Sequence, residues 1–267
     1  MYKKKINILI IGKNSYISKN YIKLSKLKKN IELIKHSEIK KINFNKFTHV
    51  INFSIDPKIY LKRYNLTNRI DEKICNLIKN KNLIYIFPSS RLIYKRKSLI
   101  NNNIFKKKNF YANNKSIIEK KIIKSRKKKK LILRIANILN FNLDQTKLFI
   151  PKLLYSLKKK NLIKFDLNKS SYKDFITFDY FTKCLDILIK EKKTGTFNIS
   201  SGKKVNIHQL GKSIINGFGK GQIFYKDKLY RDSFVLSNKK IKKIVKIDLS
   251  KKEILNYSFN MGKRLKY

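Results

Sequence analysis

The first half of the chain alternates short apolar runs with longer stretches of helical periodicity. The apolar runs are residues 6–12, 48–54, 82–90 and 130–139, which are too short and too rich in β-branched residues to be helices. Between them, the stretches 18–29, 64–79 and 111–124 carry Ile, Leu and Tyr at helical spacing. Because the strands are apolar throughout and alternate with helices, the pattern predicts a parallel sheet covered on both faces.

The second half of the chain has a more mixed pattern. It predicts helices at 149–159, 178–190 and 208–217, strands at 163–166 and 195–201, and an irregular lysine-rich remainder. We therefore predict an α/β protein with a Rossmann-type doubly wound parallel sheet and a smaller C-terminal lobe. We assign the sheet domain to residues 1–145 and the lobe mainly to 146–267, with 174–200 returning to the first domain.

Ligands of doubly wound sheets bind at the carboxyl ends of the strands, so the residues after each strand are candidates for chemistry. The first strand runs into GKNSYIS, where Gly12, Ser15 and Ser18 occupy the spacing of a three-glycine dinucleotide-binding turn. Serine replaces the second and third glycines, and its hydroxyl can donate to a phosphate at the helix N-terminus. This turn alone fits a bare strand–turn–helix equally well.

Tyr111 and Lys115 form a more specific pattern at the start of a predicted helix. Their spacing of four places both side chains on one helical face, and the preceding strand ends in Ser89 and Ser90. An ammonium beside a phenol favours the phenolate and lowers the tyrosine pKa, so that the phenol can exchange a proton with a carbinol oxygen. Hydride exchange with a nicotinamide requires such a proton partner.

Seven segments, read together, resemble the extended short-chain dehydrogenase/reductases, the NAD-dependent epimerase/dehydratase family that acts on nucleotide sugars. They are INILIIGKNSYIS, THVINFS, YIFPSSRLIY, YANNKSIIEK, LRIANIL, YKDFITFDYFTKCLDIL and GTFNISSGKKVNIHQL, in the order and spacing of that family. The resemblance extends over about residues 5–245. It implies a nucleotide-sugar substrate, an enzyme of surface-polysaccharide biosynthesis, and homodimers formed by helix pairing as one option.

The resemblance also implies roles for individual residues. Ser90 corresponds to the hydroxyl that binds the reacting sugar oxygen, Tyr111 to the acid/base, and Lys115 to the residue that binds the nicotinamide ribose. Asn137 corresponds to a residue near the substrate and Arg231 to an arginine that holds the nucleotide diphosphate. The structural alternatives are a strand cap for Ser90, a surface pair for Tyr111 and Lys115, a turn residue for Asn137, and a solvated charge for Arg231.

The reaction class is narrowed by the residues after Ser90. Members of the family that dehydrate sugars carry Asp-Glu after the catalytic hydroxyl, whereas Arg91 and Leu92 follow here. We therefore expect an epimerase or a keto-sugar reductase. Two other hypotheses are a non-catalytic Rossmann-like binding protein with a degenerate glycine loop, and a basic protein associated with nucleic acid.

The end of the second predicted strand bears on the cofactor. Lys35 and His36 stand where NAD-binding proteins place an acid for the ribose hydroxyls, although Glu38 remains a candidate for that acid. Both NAD and NADP fit, and Lys35 and His36 favour NADP. The predicted cofactor-binding residues are Gly12, Ser15, Tyr16, Ile17, Lys35, His36, Phe53, Ser54 and Lys115.

The composition gives the chain a net charge of +50. Arginine supplies 8 of the 66 basic residues, and lysine is spread along the whole chain beside abundant Asn and Ile. A nucleic-acid site usually concentrates basic residues and uses arginine heavily, so we expect only non-specific, salt-sensitive binding of polyanions.

The remaining composition indicates a cytoplasmic protein without a membrane partner. No apolar run approaches the ~20 residues that span a bilayer. Cys75 and Cys184 lack CxxC spacing and fit a reducing compartment. His36, His49 and His208 form no metal-ligand pattern, so we predict no metal.

Overall fold

A computed structural model describes residues 5–60, 70–94, 110–125, 129–144, 148–226, 229 and 232–267. The chain divides into two compact units. The first consists of Met1–Ile135 and Leu185–Phe197, and the second of Ala136–Cys184 and Asn198–Tyr267. The elements are β1 (Ile8–Ile11), α1 (Tyr16–Leu24), β2 (Ile31–Ile34), β3 (His49–Asn52), α2 (Ile70–Leu77), β4 (Ile84–Ser90), α3 (Phe110–Lys124), β5 (Lys130–Ile135), β6 (Asn137–Ile138), α4 (Phe149–Lys160), β7 (Leu162–Phe165), β8 (Tyr172–Lys173), β9 (Phe175–Ile176), α5 (Phe178–Lys190), β10 (Gly195–Ile199), β11 (Val205–Asn206), α6 (Ile207–Phe218), β12 (Gln222–Tyr225), α7 (Lys239–Val245) and α8 (Lys251–Arg264).

A six-stranded sheet in the order β10-β5-β4-β3-β1-β2 organises the fold. The pairs β1–β2, β1–β3, β3–β4 and β4–β5 are parallel. All four residues of β1 are fully buried, as expected for a strand covered on both faces. The predicted Rossmann-type α/β fold is therefore confirmed. The strand order reverses between β1 and β3, which is where doubly wound sheets bind their ligands.

Helix α1 ends earlier than its periodicity predicted. The pattern continued to residue 29, but the helix stops at Leu24 and Ser25 is extended. Asp186, which returns to the first unit with the end of α5, explains this end. Its carboxylate accepts hydrogen bonds from the Ser25 hydroxyl (2.7 Å), the Lys26 amide (2.8 Å) and the Tyr21 hydroxyl (2.7 Å). These tertiary hydrogen bonds stop the helix where local sequence would continue it.

The second unit contains two helices that the sequence did not predict. The region predicted as irregular forms α7 and α8, and α8 packs closely on α6. Gly217 of α6 and Gly262 of α8 lie where any Cβ would overlap the backbone of the other helix. Ser250 and Glu253 form a capping box at the start of α8, with Glu253 N donating to Ser250 Oγ at 3.1 Å. Among the described residues, none of the helices has the length and apolarity of a membrane span.

Candidate active site

The turn between β1 and α1 brings three strand ends together. Gly12 has a φ of +106°, and a Cβ there would lie 2.6 Å from the backbone nitrogen of Ser54, after β3. The amides of Gly12 and Lys13 both donate to the carbonyl of Ile34, the last residue of β2, at 3.0 Å. Because L side chains rarely adopt this conformation and no space exists for one, glycine is required at position 12.

The two serines that replace glycine are built into the start of α1. Ser15 is the N-cap, and its Oγ accepts from Ser18 N at 3.1 Å. The Ser15 and Ser18 hydroxyls also share a hydrogen bond of 2.7 Å, and Ser18 is fully buried. Tyr16 and Ile17 follow as the first residues of the helix and are partly buried. The serine substitutions therefore preserve a regular, capped helix N-terminus.

Four more of the predicted cofactor residues lie just after the ends of β2 and β3. Lys35 and His36 are exposed, whereas the Glu38 carboxylate accepts from the backbone amide of Lys35 at 2.5 Å. Phe53 is buried and its amide donates to Ile11 O at 2.9 Å. The Ser54 amide donates to Asn52 Oδ1 at 3.0 Å, and its hydroxyl donates to the same atom at 2.5 Å. Every one of these residues belongs to the first unit.

Ser90, Tyr111 and Lys115 are brought together at the end of β4 and the start of α3. A side-chain hydrogen bond joins Ser90 to Tyr111, and Ser90 Oγ also accepts from Leu92 N at 3.2 Å. Lys115 is only 6% exposed, and its Nζ donates to Pro88 O at 2.8 Å and lies 4.7 Å from the centre of the Phe87 ring. The burial of Lys115 rules out the alternative of a solvated surface pair.

A second phenol lies against Tyr111. Tyr60 follows β3 in a 3-10 turn and stacks on Tyr111 with the ring centres 4.8 Å apart and the planes 4° from parallel. Burial, and then the proximity of Tyr60, raise the pKa of Tyr111, while the Ser90 hydrogen bond lowers it. The sequence predicted the opposite net direction, through Lys115. The structure corrects this direction because burial, which disfavours the charged phenolate, is the largest contribution to the pKa of Tyr111. Tyr111 is therefore a neutral phenol that can donate its proton.

Two buried polar networks next to this set were not predicted. Glu119, one turn beyond Lys115, accepts from the Ser89 hydroxyl at 2.5 Å and forms an ion pair of 2.6 Å with Arg134. Asp71 of α2 accepts from the Tyr85 hydroxyl at 2.5 Å and from Asn52 Nδ2 at 2.9 Å. The spacing of Tyr111, Lys115 and Glu119 at four-residue intervals was a readable sign of the first network, whereas Asp71 carried no local signal.

Of the predicted substrate residues, Ser90 belongs to the first unit and Asn137 to the second. Asn137 lies in β6 and is partly buried, and its amide donates to Asp174 O at 3.3 Å, so it is not a turn residue. Arg231 lies outside the described residues. A buried cation in the same unit, Lys173, was not singled out by the sequence. Its Nζ donates to Asp232 Oδ2 at 2.7 Å.

The cysteine and histidine side chains offer no competing chemistry within the described residues. That part of the chain holds no group of three or more His, Cys, Asp or Glu placed to bind a metal ion. Cys75 and Cys184 are both buried free thiols, and burial raises the pKa of Cys184 to about 12. Cys184 is therefore a protonated thiol at neutral pH.

Solved structures provide the comparison for this arrangement, since no protein-family model and no curated protein matches the sequence. One similar structure is the UDP-N-acetylglucosamine 4-epimerase from Methanobrevibacter ruminantium M1 in complex with UDP-N-acetylmuramic acid. It has a TM-score of 0.76 at 16% identity, with 97% of this chain and 98% of that chain covered.

Two further similar structures contain nicotinamide cofactors. The dTDP-glucose 4,6-dehydratase from Bacillus anthracis in complex with NAD has a TM-score of 0.72 at 14% identity, with 97% of each chain covered. The RMD protein from Pseudomonas aeruginosa complexed with NADPH has a TM-score of 0.73 at 12% identity, with 97% of this chain and 99% of that chain covered. The chain thus shares its fold with solved structures of nucleotide-sugar epimerases and dehydratases.

Proposed function

We propose that the protein is a nicotinamide-dependent enzyme that epimerises a nucleotide sugar or reduces a keto-sugar nucleotide. The observation that carries the proposal is the junction of Ser90, Tyr111 and buried Lys115 at the same sheet edge as the Gly12 turn. A polar set of this kind at the carboxyl ends of parallel strands has the position of an active site in a doubly wound sheet. A binding protein without catalysis would gain nothing from burying Lys115 there, because burying an ammonium costs free energy.

The residues at the β1–α1 turn fit a dinucleotide. Gly12 allows a tight turn against the Ser54 backbone, where a Cβ would clash, and the capped N-terminus of α1 presents amides and a positive dipole end to an anion. Gly12, Ser15, Tyr16 and Ile17 would hold the pyrophosphate. Phe53, Ser54 and Lys115 would hold the nicotinamide half.

The end of β2 favours NADP over NAD. One oxygen of Glu38 already accepts from the Lys35 backbone amide, while the Lys35 and His36 side chains are exposed beside the Gly12 turn. Cations at this position would bind a 2′-phosphate. Similar structures hold either NAD or NADPH, so the preference rests on these residues of this chain.

The chemistry assigned to the chain is proton transfer at a sugar hydroxyl or carbonyl. The bound nicotinamide supplies or accepts the hydride. When a ketone is reduced, Tyr111 gives its proton to the developing alkoxide, and when a secondary alcohol is oxidised, Tyr111 takes that proton back. Ser90 binds the same oxygen, and the charge of Lys115 stabilises the phenolate that Tyr111 becomes.

The second unit would select the nucleotide sugar. A similar structure contains a UDP-sugar, and Asn137, Arg231 and Lys173 are the residues that we propose for the sugar and the diphosphate. Arg91 and Leu92 after Ser90 provide no acid and base for removing a hydroxyl group, which favours epimerisation or reduction over dehydration.

Turnover of nucleotide sugars tests the proposal. UDP-sugars and 4-keto-sugar nucleotides are incubated with the protein and each nicotinamide, and products are separated by chromatography. Tyr111→Phe and Ser90→Ala should lower kcat by at least about 100-fold, since each removes a group that acts on the transferred proton. Nicotinamide affinity should change by less than about threefold in Ser90→Ala.

Tyr155→Phe is the matched control, because this exposed tyrosine on α4 is not one of the residues that we propose for the site. It should keep full activity. Equal activity of wild type and Tyr111→Phe on a substrate that wild type turns over would refute the assigned role of Tyr111.

A further inference from the structure

Two charged side chains are buried on the same face of the central sheet, beneath α2 and α3. Asp71 of α2 is 8% exposed and Lys115 of α3 is 6% exposed. Removing a carboxylate or an ammonium from water costs several kcal/mol per ion unless an opposite charge or strong hydrogen bonds compensate it. The proposed function does not explain which groups compensate these two buried charges.

Asp71 is hydrogen-bonded only to neutral groups in the part of the chain that the structure describes. Its Oδ1 accepts from the Tyr85 hydroxyl (2.5 Å) and from Asn52 Nδ2 (2.9 Å). Lys115 likewise has neutral direct partners, the Pro88 carbonyl and the Phe87 ring. Each residue thus has neutral hydrogen-bond partners, while no opposite charge among the described residues is in direct contact with it.

Glu119 differs from Asp71 although it also lies near Lys115. Its carboxylate is 2.6 Å from Arg134 Nη2 and also accepts from Arg134 Nε at 3.1 Å. Arg134 therefore neutralises Glu119. Of the two carboxylates that act on Lys115, Asp71 is the one whose charge still requires a cation.

The geometry places Asp71 and Lys115 on adjacent positions of one strand face. Asp71 binds Tyr85 and Lys115 lies over Phe87, and these two residues of β4 point to the same side, about 7 Å apart along the strand. Burial lowers the pKa of Lys115, and the charges of Asp71 and then Glu119 raise it. Among the described residues, the direct partners of Lys115 are the neutral Pro88 carbonyl and Phe87 ring.

We propose that Asp71 is the counterion of Lys115, a positioning residue that keeps the ammonium charged in its buried place. The pairing of Asp71 with Lys115 does not depend on the proposed function. Only the action of Lys115 on Tyr111 and on a nicotinamide ribose rests on it. Asn52 extends the arrangement, because its amide nitrogen donates to Asp71 while its oxygen accepts from Ser54 at the cofactor turn. Asp71 thereby connects the predicted cofactor loop to the predicted catalytic lysine.

A double-mutant cycle on stability tests the charge pair without any cofactor. The variants are Asp71→Asn, Lys115→Met and the double variant, and urea denaturation gives the unfolding equilibrium constant of each. Asparagine keeps an oxygen that can accept from Tyr85 and Asn52, so the substitution removes mainly the charge. Asp71→Asn alone should raise the unfolding constant at least tenfold more than it does in the Lys115→Met background, a coupling of about 1.4 kcal/mol.

Glu119→Gln in the same two backgrounds is the matched control. Because Arg134 is the ion-pair partner of Glu119, its coupling to Lys115 should be below about threefold. Equal effects of Asp71→Asn with and without Lys115 would overturn the proposal. If Asp71→Asn alone does not fold, the double variant should fold, since it removes both charges, and failure of the double variant as well would also overturn the proposal.

Nicotinamide titration against pH adds a functional readout. Without Asp71, the ammonium of Lys115 loses its proton at a lower pH. As the pH is raised, the nicotinamide affinity of Asp71→Asn should therefore begin to fall at a lower pH than the nicotinamide affinity of wild type. An unshifted profile would contradict the positioning role. If wild type binds no nicotinamide at all, the proposed function fails while the stability cycle still decides whether Asp71 and Lys115 are paired.

Discussion

Gly12 shows how a single residue determines the shape of the turn at the end of β1. Its left-handed φ and the contact of any Cβ with Ser54 N leave no alternative to glycine. The other two glycine positions carry Ser15 and Ser18, which the structure accommodates by a cap and by full burial. The first position of the motif requires glycine, whereas the second and third positions accept serine. This difference explains why the dinucleotide-binding motif was recognisable although two of its three glycines are replaced.

His49 is a buried histidine whose hydrogen bonds fix its tautomer. It is 1% exposed at the start of β3, and its Nδ1 is 2.9 Å from Thr48 Oγ1. Thr48 Oγ1 donates its own proton to Asn7 O at 2.8 Å, so His49 Nδ1 must be the donor. The neutral imidazole of His49 therefore carries its proton on Nδ1.

His49 should make the protein less stable in mild acid. Burial, and then Lys192, lower the pKa of His49 from 6.5 to about 4. Above pH 6.5 both the folded and unfolded states have a neutral imidazole, and as the pH falls toward 4 only the unfolded state takes up the proton. Stability should thus decline by about 3 kcal/mol across this window. Urea denaturation from pH 7.5 to 4, roughly the range that spans both values, should show a shallower decline for His49→Gln.

His36→Gln is the control, because it replaces an exposed histidine in the same way. A wild-type profile as flat as that of His49→Gln would contradict the assigned burial of neutral His49.

At the scale of elements, α5 is joined to α1 by one carboxylate. Asp186 accepts hydrogen bonds from Tyr21, Ser25 and the Lys26 amide, and all three donors belong to the first unit. Asp186→Ala leaves buried donors unpaired, which should cost roughly 3 kcal/mol or more. Asp179→Ala on the same helix removes only an exposed pair with Lys183 and should cost less than about 0.5 kcal/mol. Thermal unfolding of both variants measures the difference, and similar losses would contradict the account of Asp186.

The elements also show which features local sequence can reveal. Continuous apolar strands and the period of α5 were readable because burial on both faces imposes them on the chain. The end of α1 depended on Asp186, far along the sequence, and could not be seen locally. Helix α8 was missed because lysines obscured its pattern, although the capping box of Ser250 and Glu253 was a usable signal.

At the scale of the whole molecule, the positions of some residues of the candidate site were predictable from the sequence and those of others were not. The proximity of Ser90, Tyr111 and Lys115 was predictable from spacing, since one helix and one strand end bring them together. Tyr60 and Asp71 come from other elements and reach the site only through tertiary packing, so no spacing rule could identify them. The raised Tyr111 pKa has the same origin, because it depends on burial and on Tyr60.

The charge of +50 affects any measurement on the whole molecule. Lysine is spread through the chain, so polyphosphates will be attracted without a specific site. Moderate salt weakens that attraction far more than it weakens binding in a partly buried site. Binding experiments at two salt concentrations therefore distinguish a dinucleotide site from general attraction.

Isothermal titration of NAD, NADH, NADP and NADPH into the wild-type protein at moderate salt tests the central claim most directly. We predict saturable binding at one site per chain, with the NADP pair bound more tightly than the NAD pair. Lys35→Glu should weaken NADPH binding by about tenfold or more and leave NADH binding nearly unchanged, because the 2′-phosphate is the group that Lys35 contacts in this account. Absence of saturable binding for all four dinucleotides would contradict the assignment of the Gly12 turn as a cofactor site.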